Sequence, residues 1–317
     1  MRSNSFLSDV LNKPILLLFF ICIGILSNVK VWDSDVLWHL QSGKVMYDTK
    51  SIIEKDVFSF TKSDTKWIND EWLGDVYLYK VYKSWNFRGV QFLSIIIVLL
   101  IILIIYSFTK SLNIPLTITL PIIFFAFIES RVRLLNHRPE TFSYLFFFFI
   151  LYILLRYHSI GSSYNKIPSF LFFIPIIQIF WVNIHPSSIL TIFLLIAFII
   201  AFHLSFLLSK YNTFKSHVSS FDVNIKGIYL ILFLTIISSS LNPYGFHSIT
   251  APFSFVSQKM FVTSITEWAP LHFRDLLSIS GYPGHIAFLF FILFGFLTFF
   301  FNFRFLRLFF TKRHCLQ

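Results

Sequence analysis

Apolar runs of about 15 to 20 residues, separated by shorter polar segments, recur along the whole 317-residue chain. A run of that length, wound as a helix, crosses the roughly 30 Å hydrocarbon core of a bilayer. The pattern therefore predicts an all-α fold, in which 1–317 forms one integral-membrane domain built as a polytopic helical bundle. The eight predicted transmembrane helices are 14–29, 89–109, 114–128, 141–155, 167–182, 188–209, 227–241 and 285–303.

The charged residues predict the orientation of this bundle. With the N-terminus in the cytoplasm, the inner segments contain 12 of the 26 lysines and arginines but only two of the 15 acids. Lys and Arg accumulate on the cytoplasmic side of membrane proteins. We therefore expect a multi-pass protein of the cell membrane (the inner membrane in a bacterium) with both termini cytoplasmic. Two large external loops, 30–88 and 242–284, follow from this orientation.

Two further points depend on that orientation. Almost all of the formal net charge of +11 lies in the inner segments, so the basic composition gives no reason to expect a nucleic-acid partner. Arg2 and Lys13 precede a short apolar core, a pattern that also suits a signal peptide, but no small-residue cleavage site follows "CIGILSN". In either case, 30–88 would be exported.

Five unusual polar clusters all fall on the predicted outer face, whereas the inner loops resemble ordinary solvated connectors. This one-sided distribution suggests a single external site. The clusters are "WDSD" (32–35), "ESRVRLLNHRPE" (129–140), "NIHPSS" (183–188), "LNPYGFH" (241–247) and "TEWAPLHF" (266–273).

The first external loop is too long for a simple connection and is rich in aromatic residues. A helix that starts after Ser34 or Asp35 would place Asp35 and His39 one turn apart on the same face. Gly43 is expected to weaken or end that helix. A second helix is predicted to begin near Asp70, and its Trp- and Tyr-rich side suits the membrane interface.

Three motifs of this loop carry a resemblance to a known family. They are Asp-x-Asp-x-x-Trp-His-Leu-x-x-Gly (33–43), Asp-x-Phe-Ser-Phe-Thr (56–61) and Trp-x-x-x-Glu-Trp-Leu (67–73). Together with the later "HRPETFSYL", "NIHPSS", "LNPYG" and "EWAPLHF", they resemble a bacterial membrane-protein family related to the GT-C glycosyltransferases, which include protein-mannosyltransferase-like enzymes. The resemblance implies an enzyme whose partners are membrane lipids and a polyprenyl-phosphate-linked sugar donor.

The chain departs from that family at three points. Glu140 follows Arg-Pro where the family often has Gln or His, and Pro186 and Ser187 follow Asn-x-His where it often has Gly. Full-length relatives also usually continue with more transmembrane helices. The resemblance therefore supports architecture better than activity.

Asp33 and Asp35 are the candidate catalytic residues. A carboxylate at the membrane surface suits a general base for a hydroxyl acceptor, and the resemblance points to the same acidic motif. The pair could instead bind a divalent metal such as Mg²⁺ or Mn²⁺, which prefer oxygen ligands. A third interpretation is that both aspartates only cap the start of a helix.

The candidate substrate-binding residues come from the other clusters. Arginine suits a departing phosphate because it keeps its charge, although ion pairs with Glu129 or Glu140 or with lipid headgroups would explain the same arginines. Histidine, asparagine and a Glu-Trp pair could bind sugar or phosphate, although a histidine at a helix end is more often structural. The candidates are His39, Arg131, Arg133, His137, Arg138, Asn183, His185, Glu267 and Trp268.

The resemblance, taken together with these residues, implies a membrane glycosyltransferase that transfers a sugar from a polyprenyl-phosphate donor to an acceptor at the outer face. The alternative is a non-catalytic carrier, an assembly factor or a degenerate GT-C-like scaffold in cell-envelope glycan handling. A carrier is expected to place ionisable groups in the middle of its transmembrane helices. Here they gather at one surface instead, which favours the enzyme.

Overall fold

The computed structural model describes residues 2–160, 166–210, 223–250 and Phe253, with side chains from residue 12 onwards except at 208 and 209. Nearly all of these residues belong to one compact unit, formed by 1–204 and 221–255. The second unit, 205–220 with 256–317, lies almost wholly outside the described residues. The predicted segment 285–303 and the candidates Glu267 and Trp268 lie outside them as well.

The described chain is all-helical, as predicted, and contains no β-strand within those residues. A single isolated bridge joins Lys55 and Lys66 in the first loop. Short 3-10 turns at Ser169–Phe172 and Pro186–Ile189 precede the sixth and seventh helices. The helices are α1 (Arg2–Leu26), α2 (Asp35–Thr49), α3 (Trp72–Ser111), α4 (Leu116–Leu134), α5 (Glu140–Ile160), α6 (Phe173–Ile184), α7 (Leu190–Ser209) and α8 (Ile225–Ser239).

Three described helices are long and apolar enough to cross a membrane. They are α3, α5 and the segment Pro186–Leu207, which combines a 3-10 turn with most of α7. Shorter apolar helices lie at Asn12–Leu26, Ser169–Ile184 and Ile225–Ser239. The described residues thus contain long apolar helices of the kind that the apolar runs predict.

Helix α3 differs from the prediction, because the expected interfacial helix and the expected span at 89–109 form one helix of 40 residues. It is kinked at Trp85 and Asn86, where Asn86 adopts φ 52° and ψ −155°. With that ψ, Asn86 lies outside the left-handed helical region that asparagine tolerates, so the bend is a strained position of the backbone. No proline or glycine interrupts the chain between Gly74 and the kink, so the two helical parts remain joined.

Gly43 does not end α2, contrary to the prediction, since the helix continues to Thr49. A β-carbon at Gly43 would lie 2.1 Å from the carbonyl oxygen of Asp75. The glycine therefore lets α2 pack directly on the backbone of α3, and this tertiary contact outweighs the low helix propensity of glycine. Val36 and Leu40 of α2 pack with Leu78 and Val90 of α3 in a small buried core.

Candidate functional site

Arg138 joins the two candidate aspartates. Its Nε and Nη2 atoms lie 2.6 and 2.5 Å from Oδ2 of Asp33, and Nη2 lies 3.0 Å from Oδ2 of Asp35. The Asp33 side chain is only 6% exposed, whereas that of Asp35 is 56% exposed. Asp33 is thus the buried partner of Arg138, and the carboxylate of Asp35 is accessible from outside the protein.

The side chain of Asp33 also contacts the start of helix α2, whose N-cap residue, Ser34, makes no side-chain capping bond. Its Oδ1 accepts a hydrogen bond from the backbone N–H of Asp35 at 3.0 Å. Both oxygens of Asp33 are therefore engaged, one by the helix and one by Arg138. Asp33 thus serves both the turn before α2 and the ion pair, and this leaves Asp35 as the accessible member of the motif.

The turn before Arg138 is fixed by His137. This residue adopts φ 64° and is 1% exposed. Its Nε2–H donates to the carbonyl of Val29 at 3.2 Å, and its Nδ1 accepts from the hydroxyl of Ser94 at 2.9 Å. Burial lowers the pKa of His137, although the hydrogen bond to Val29 opposes this. A neutral His137 therefore joins the segments that carry Val29 and Ser94 to the turn that carries Arg138, and it fixes the position of that turn.

A second group of interacting side chains lies between α2 and α3. Nδ1–H of His39 donates to Oδ1 of Asp75 at 2.7 Å, and the side-chain amide of Asn69 donates to Oδ2 of Asp75 at 3.0 Å. Burial lowers the pKa of His39, but the hydrogen bond to Asp75 and the charges of Glu71 and Asp75 outweigh it, so the net shift is upward. This buried imidazole is thus held in a strongly acidic setting.

Glu71 bridges two candidate histidines. One carboxylate oxygen lies 3.4 Å from Nδ1 of His39, and the other lies 3.0 Å from Nε2 of His185. Nδ1 of His185 accepts from the backbone N–H of Ser187 at 3.1 Å, so the proton of the neutral ring is on Nε2 and is donated to Glu71. This contact unites the first external loop with the "NIHPSS" cluster.

The pKa values of both Glu71 and His185 are shifted from their ordinary values. Burial raises the pKa of Glu71 to about 7, despite the opposing charge of His39. Burial also lowers the pKa of His185 to about 4, although the charge of Glu140 opposes it. Near neutral pH, Glu71 is therefore poised to gain or lose a proton while His185 stays neutral. The charge of Arg138 adds to the lowering of the pKa of His185 and opposes the raised pKa of His39, so the two parts of the site are electrostatic neighbours.

Gly74 explains how α3 comes so close to the other two segments. A β-carbon at this position would lie 2.7 Å from Cβ of Pro139 and 3.0 Å from the carbonyl oxygen of Ile184. The absence of a side chain thus brings the turn that carries Glu71 against the segments that carry Arg138 and His185. The site is assembled by close backbone packing as well as by its ion pairs.

Asn183 has a structural role in this arrangement. Its side-chain oxygen accepts from Nε1 of Trp72 at 2.8 Å, and its amide donates to the carbonyls of Ile179 and Leu241. All these partners lie within the protein, and Asn183 is 6% exposed. It links α3, α6 and the segment after α8.

The segment "LNPYGFH" also reaches the site. The hydroxyl of Tyr244 accepts a hydrogen bond from the backbone N–H of Asn69 at 3.0 Å. Burial raises the pKa of Asp70 to about 6, and the charge of His247 opposes that shift. Contacts within the described residues thus connect four of the five predicted polar clusters, and the fifth, 266–273, lies outside them.

Arg131 and Arg133 occupy a different place. Both lie in the last turn of α4, where Arg131 is half-buried and Arg133 is exposed. They follow the apolar part of that helix and precede the turn that positions Arg138. The ion pair with Asp33 and Asp35 is formed by Arg138.

Two groups of side chains can be compared as metal sites. Asp33 and Asp35 already hold a guanidinium, so a divalent cation there would have to displace Arg138. His39, Glu71 and Asp75 instead offer three ligand atoms that all lie within 4.8 Å of one another. A nitrogen and two carboxylate oxygens suit a transition metal such as Mn²⁺ or Zn²⁺, so this second set fits a cation better.

Sequence reasoning missed Glu71 and Asp75 as site residues, although Glu71 lies in the quoted motif Trp67–Leu73. The signal was the density of polar side chains in "NDEWLGD" (69–75), directly before a long apolar helix. Asp75 is buried, and a buried carboxylate is costly unless it has a partner. Asp75 finds that partner in His39.

The chain matches no protein-family model, no curated protein and no solved structure.

Proposed function

We propose that this protein is a membrane glycosyltransferase related to the GT-C enzymes. It would transfer a sugar from a polyprenyl-phosphate donor to a hydroxyl acceptor at the outer face of the membrane. The observation that carries the proposal is the ion pair of Arg138 with Asp33 and Asp35, since it combines an accessible carboxylate with a phosphate-binding cation beside long apolar helices. The resemblance of the loop motifs to that family adds support.

In the proposed reaction, Asp35 is the general base. Its carboxylate takes the proton of the acceptor hydroxyl while the hydroxyl oxygen forms a bond to the anomeric carbon of the sugar. The bond from that carbon to the phosphate oxygen breaks, and the lipid phosphate leaves with the electron pair. As the leaving phosphate gains charge, Arg138 binds it and releases Asp35, whereas Asp33 keeps the guanidinium in place.

The second half of the site would bind the sugar. His39 and Glu71 are adjacent, and the Glu71 side chain is 23% exposed, so it can accept hydrogen bonds from sugar hydroxyls. His185 fixes the orientation of Glu71 through its Nε2–H. Such a polar surface beside a phosphate-binding arginine suits a donor that has a sugar and a phosphate on adjacent atoms.

The proposal includes the orientation inferred from the charges. Eight helices would cross the membrane, both termini would be cytoplasmic, and the ends of α3 and α5 that carry Trp72 and Glu140 would face the outside. The ion pair would then lie at the outer interface, where lipid-linked sugars and external acceptors meet.

The test uses the full chain in proteoliposomes with polyprenyl phosphates that carry glucose, mannose, galactose or a pentose. The readout is the release of polyprenyl phosphate, which does not depend on the identity of the acceptor. With a consumed donor, Asp35→Asn and Arg138→Lys are each expected to lower the rate at least about 100-fold. Asp48→Asn, which removes another exposed acid from the same helix, is the matched control.

The proposal is overturned if Asp35→Asn keeps the wild-type rate. It is also overturned if the folded wild-type protein consumes none of the donors in the presence of membrane extracts that supply acceptors. Melting curves of each variant establish that a lost rate reflects chemistry, because Asp35 is an exposed residue whose replacement should leave the fold intact.

A further inference from the structure

A pocket of about 750 Å³ lies between α1 and α3. Its described lining residues do not include those of the proposed active site. Its apolar wall is formed by Ile21 and Ile25 of α1 and by Phe92 and Ile95 of α3. A β-carbon added at Gly24, which also lines the pocket, would have no atom within 4 Å. The pocket therefore has open space directly over the helix backbone, in a size range typical of ligand sites.

The charges of this pocket are of one sign. Among the described residues that line the pocket, Lys30 and Arg88 are the only charged ones, and none is an acid. Both side chains are exposed, and neither forms a hydrogen bond or an ion pair within the described part of the chain. Two cations beside an apolar wall attract an amphipathic anion.

The two cations also lie at the same end of the pocket. Lys30 follows the end of α1 at Leu26, and Arg88 follows the kink of α3 at Asn86, where the long apolar part of that helix begins. Gln91 holds these ends together, because its amide donates to the carbonyl of Val29 at 3.0 Å. A ligand would thus place its charged group near the helix ends and its apolar part between the helices.

We propose that this pocket binds a lipid phosphate monoester, with the phosphate between Lys30 and Arg88 and the tail along α1 and α3. A phosphate monoester has about −1.5 to −2 charges near pH 7, which matches two cations that form no ion pair with any described residue. A diacyl phosphodiester offers about half that charge. The inference does not rest on the proposed function, because binding requires only the pocket and its cations.

The test measures retention of radiolabelled dodecyl phosphate by the immobilised full chain in neutral maltoside micelles. Dodecanol, inorganic phosphate and phosphatidylglycerol serve as competitors. Unlabelled dodecyl phosphate is expected to displace the label at least about tenfold more effectively than any of the three, because both charge and tail contribute. Lys30→Ala and Arg88→Ala are each expected to weaken binding by about tenfold or more.

Two further variants separate tail binding from charge. Gly24→Leu places a side chain in the open space and is expected to reduce retention of dodecyl phosphate without disturbing the fold. Lys62→Ala removes an exposed cation of the first loop, away from the pocket lining, and should bind as the wild type does.

The proposal is overturned if inorganic phosphate competes as well as dodecyl phosphate, which would show a simple anion site. It is also overturned if phosphatidylglycerol competes equally, or if the Lys30 and Arg88 variants retain wild-type affinity. Asp35→Asn distinguishes this inference from the proposed function, since that variant should lose sugar transfer and keep the binding of dodecyl phosphate.

Discussion

Gly43 of α2 packs against the backbone of Asp75 in α3 so closely that a β-carbon on Gly43 would lie 2.1 Å from the Asp75 carbonyl oxygen. One turn earlier on α2, His39 donates to the side chain of the same aspartate at 2.7 Å. The two contacts depend on each other, because the close approach of the backbones sets the distance across which the side chains meet. Helix packing at a glycine thus positions a buried hydrogen-bonded pair of titratable side chains.

Gly43→Ala is therefore expected to destabilise the protein. The atom nearest the new β-carbon belongs to the backbone, so the two helices must separate, at a cost typical of overpacking, about 1–3 kcal/mol. The better helix propensity of alanine returns at most about 1 kcal/mol. The measurement is the apparent melting temperature in detergent. Gly24→Ala, at an open helical position, is the matched control and should leave that temperature unchanged or slightly higher.

The meeting of Asp33, Arg138 and His185 in one region could be anticipated from the sequence. Alternation of apolar runs assigns all three to one side, and buried charges need partners. Which side chains contact one another within that region could not be predicted from the sequence in the same way. That Glu71 contacts His185 depends on the close approach at Gly74, and a sequence does not reveal which glycine serves packing and which ends a helix. The sequence analysis did not predict that the two parts of α3 form one helix, because the continuous apolar run begins only after the kink at Asn86.

The two aspartates of the opening motif are expected to differ in their effect on stability. Asp33→Asn leaves the partly buried guanidinium of Arg138 without its main counter-charge, which should cost about 3 kcal/mol or more. Asp35→Asn removes a carboxylate that is 56% exposed, and exposed ion pairs contribute at most about 1 kcal/mol. Denaturant unfolding of the two variants in the same detergent gives this comparison, and equal losses would contradict it.

The stability of the protein should depend on pH through Glu71. Its pKa is about 7 in the folded protein against an ordinary value of 4.5, so the unfolded chain releases this proton first as pH rises. The contribution of Glu71 to the free energy of unfolding should therefore fall between pH 4.5 and 7 and then stay constant. Glu71→Gln removes that contribution, so the variant should gain stability relative to wild type across this interval.

Comparison with the variant is needed because His185 acts in the opposite direction. Its pKa is lowered to about 4 from 6.5, so its contribution to the free energy of unfolding rises as pH increases from 4 to 6.5. His185 is present in both proteins, and its effect largely cancels in the difference between them. Glu54→Gln, which alters an exposed carboxylate of the same loop, is the control for general charge effects. A difference between Glu71→Gln and wild type that stays flat from pH 4.5 to 7 would contradict the assigned burial.

The proposed orientation predicts which surface positions a membrane-impermeant thiol reagent reaches in intact cells. Ser63 and Ser111 are both exposed, and they lie before the start and at the end of α3. In a background with Cys22→Ser and Cys315→Ser, Ser63→Cys should react in intact cells, whereas Ser111→Cys should react only after the membrane is opened. Both changes are serine to cysteine at exposed sites, so a difference reports the side of the membrane. Reaction at Ser111→Cys in intact cells, with Ser63→Cys protected, would invert the topology. The ion pair of Asp33 with Arg138 would then face the cytoplasm, where an external acceptor could not reach it.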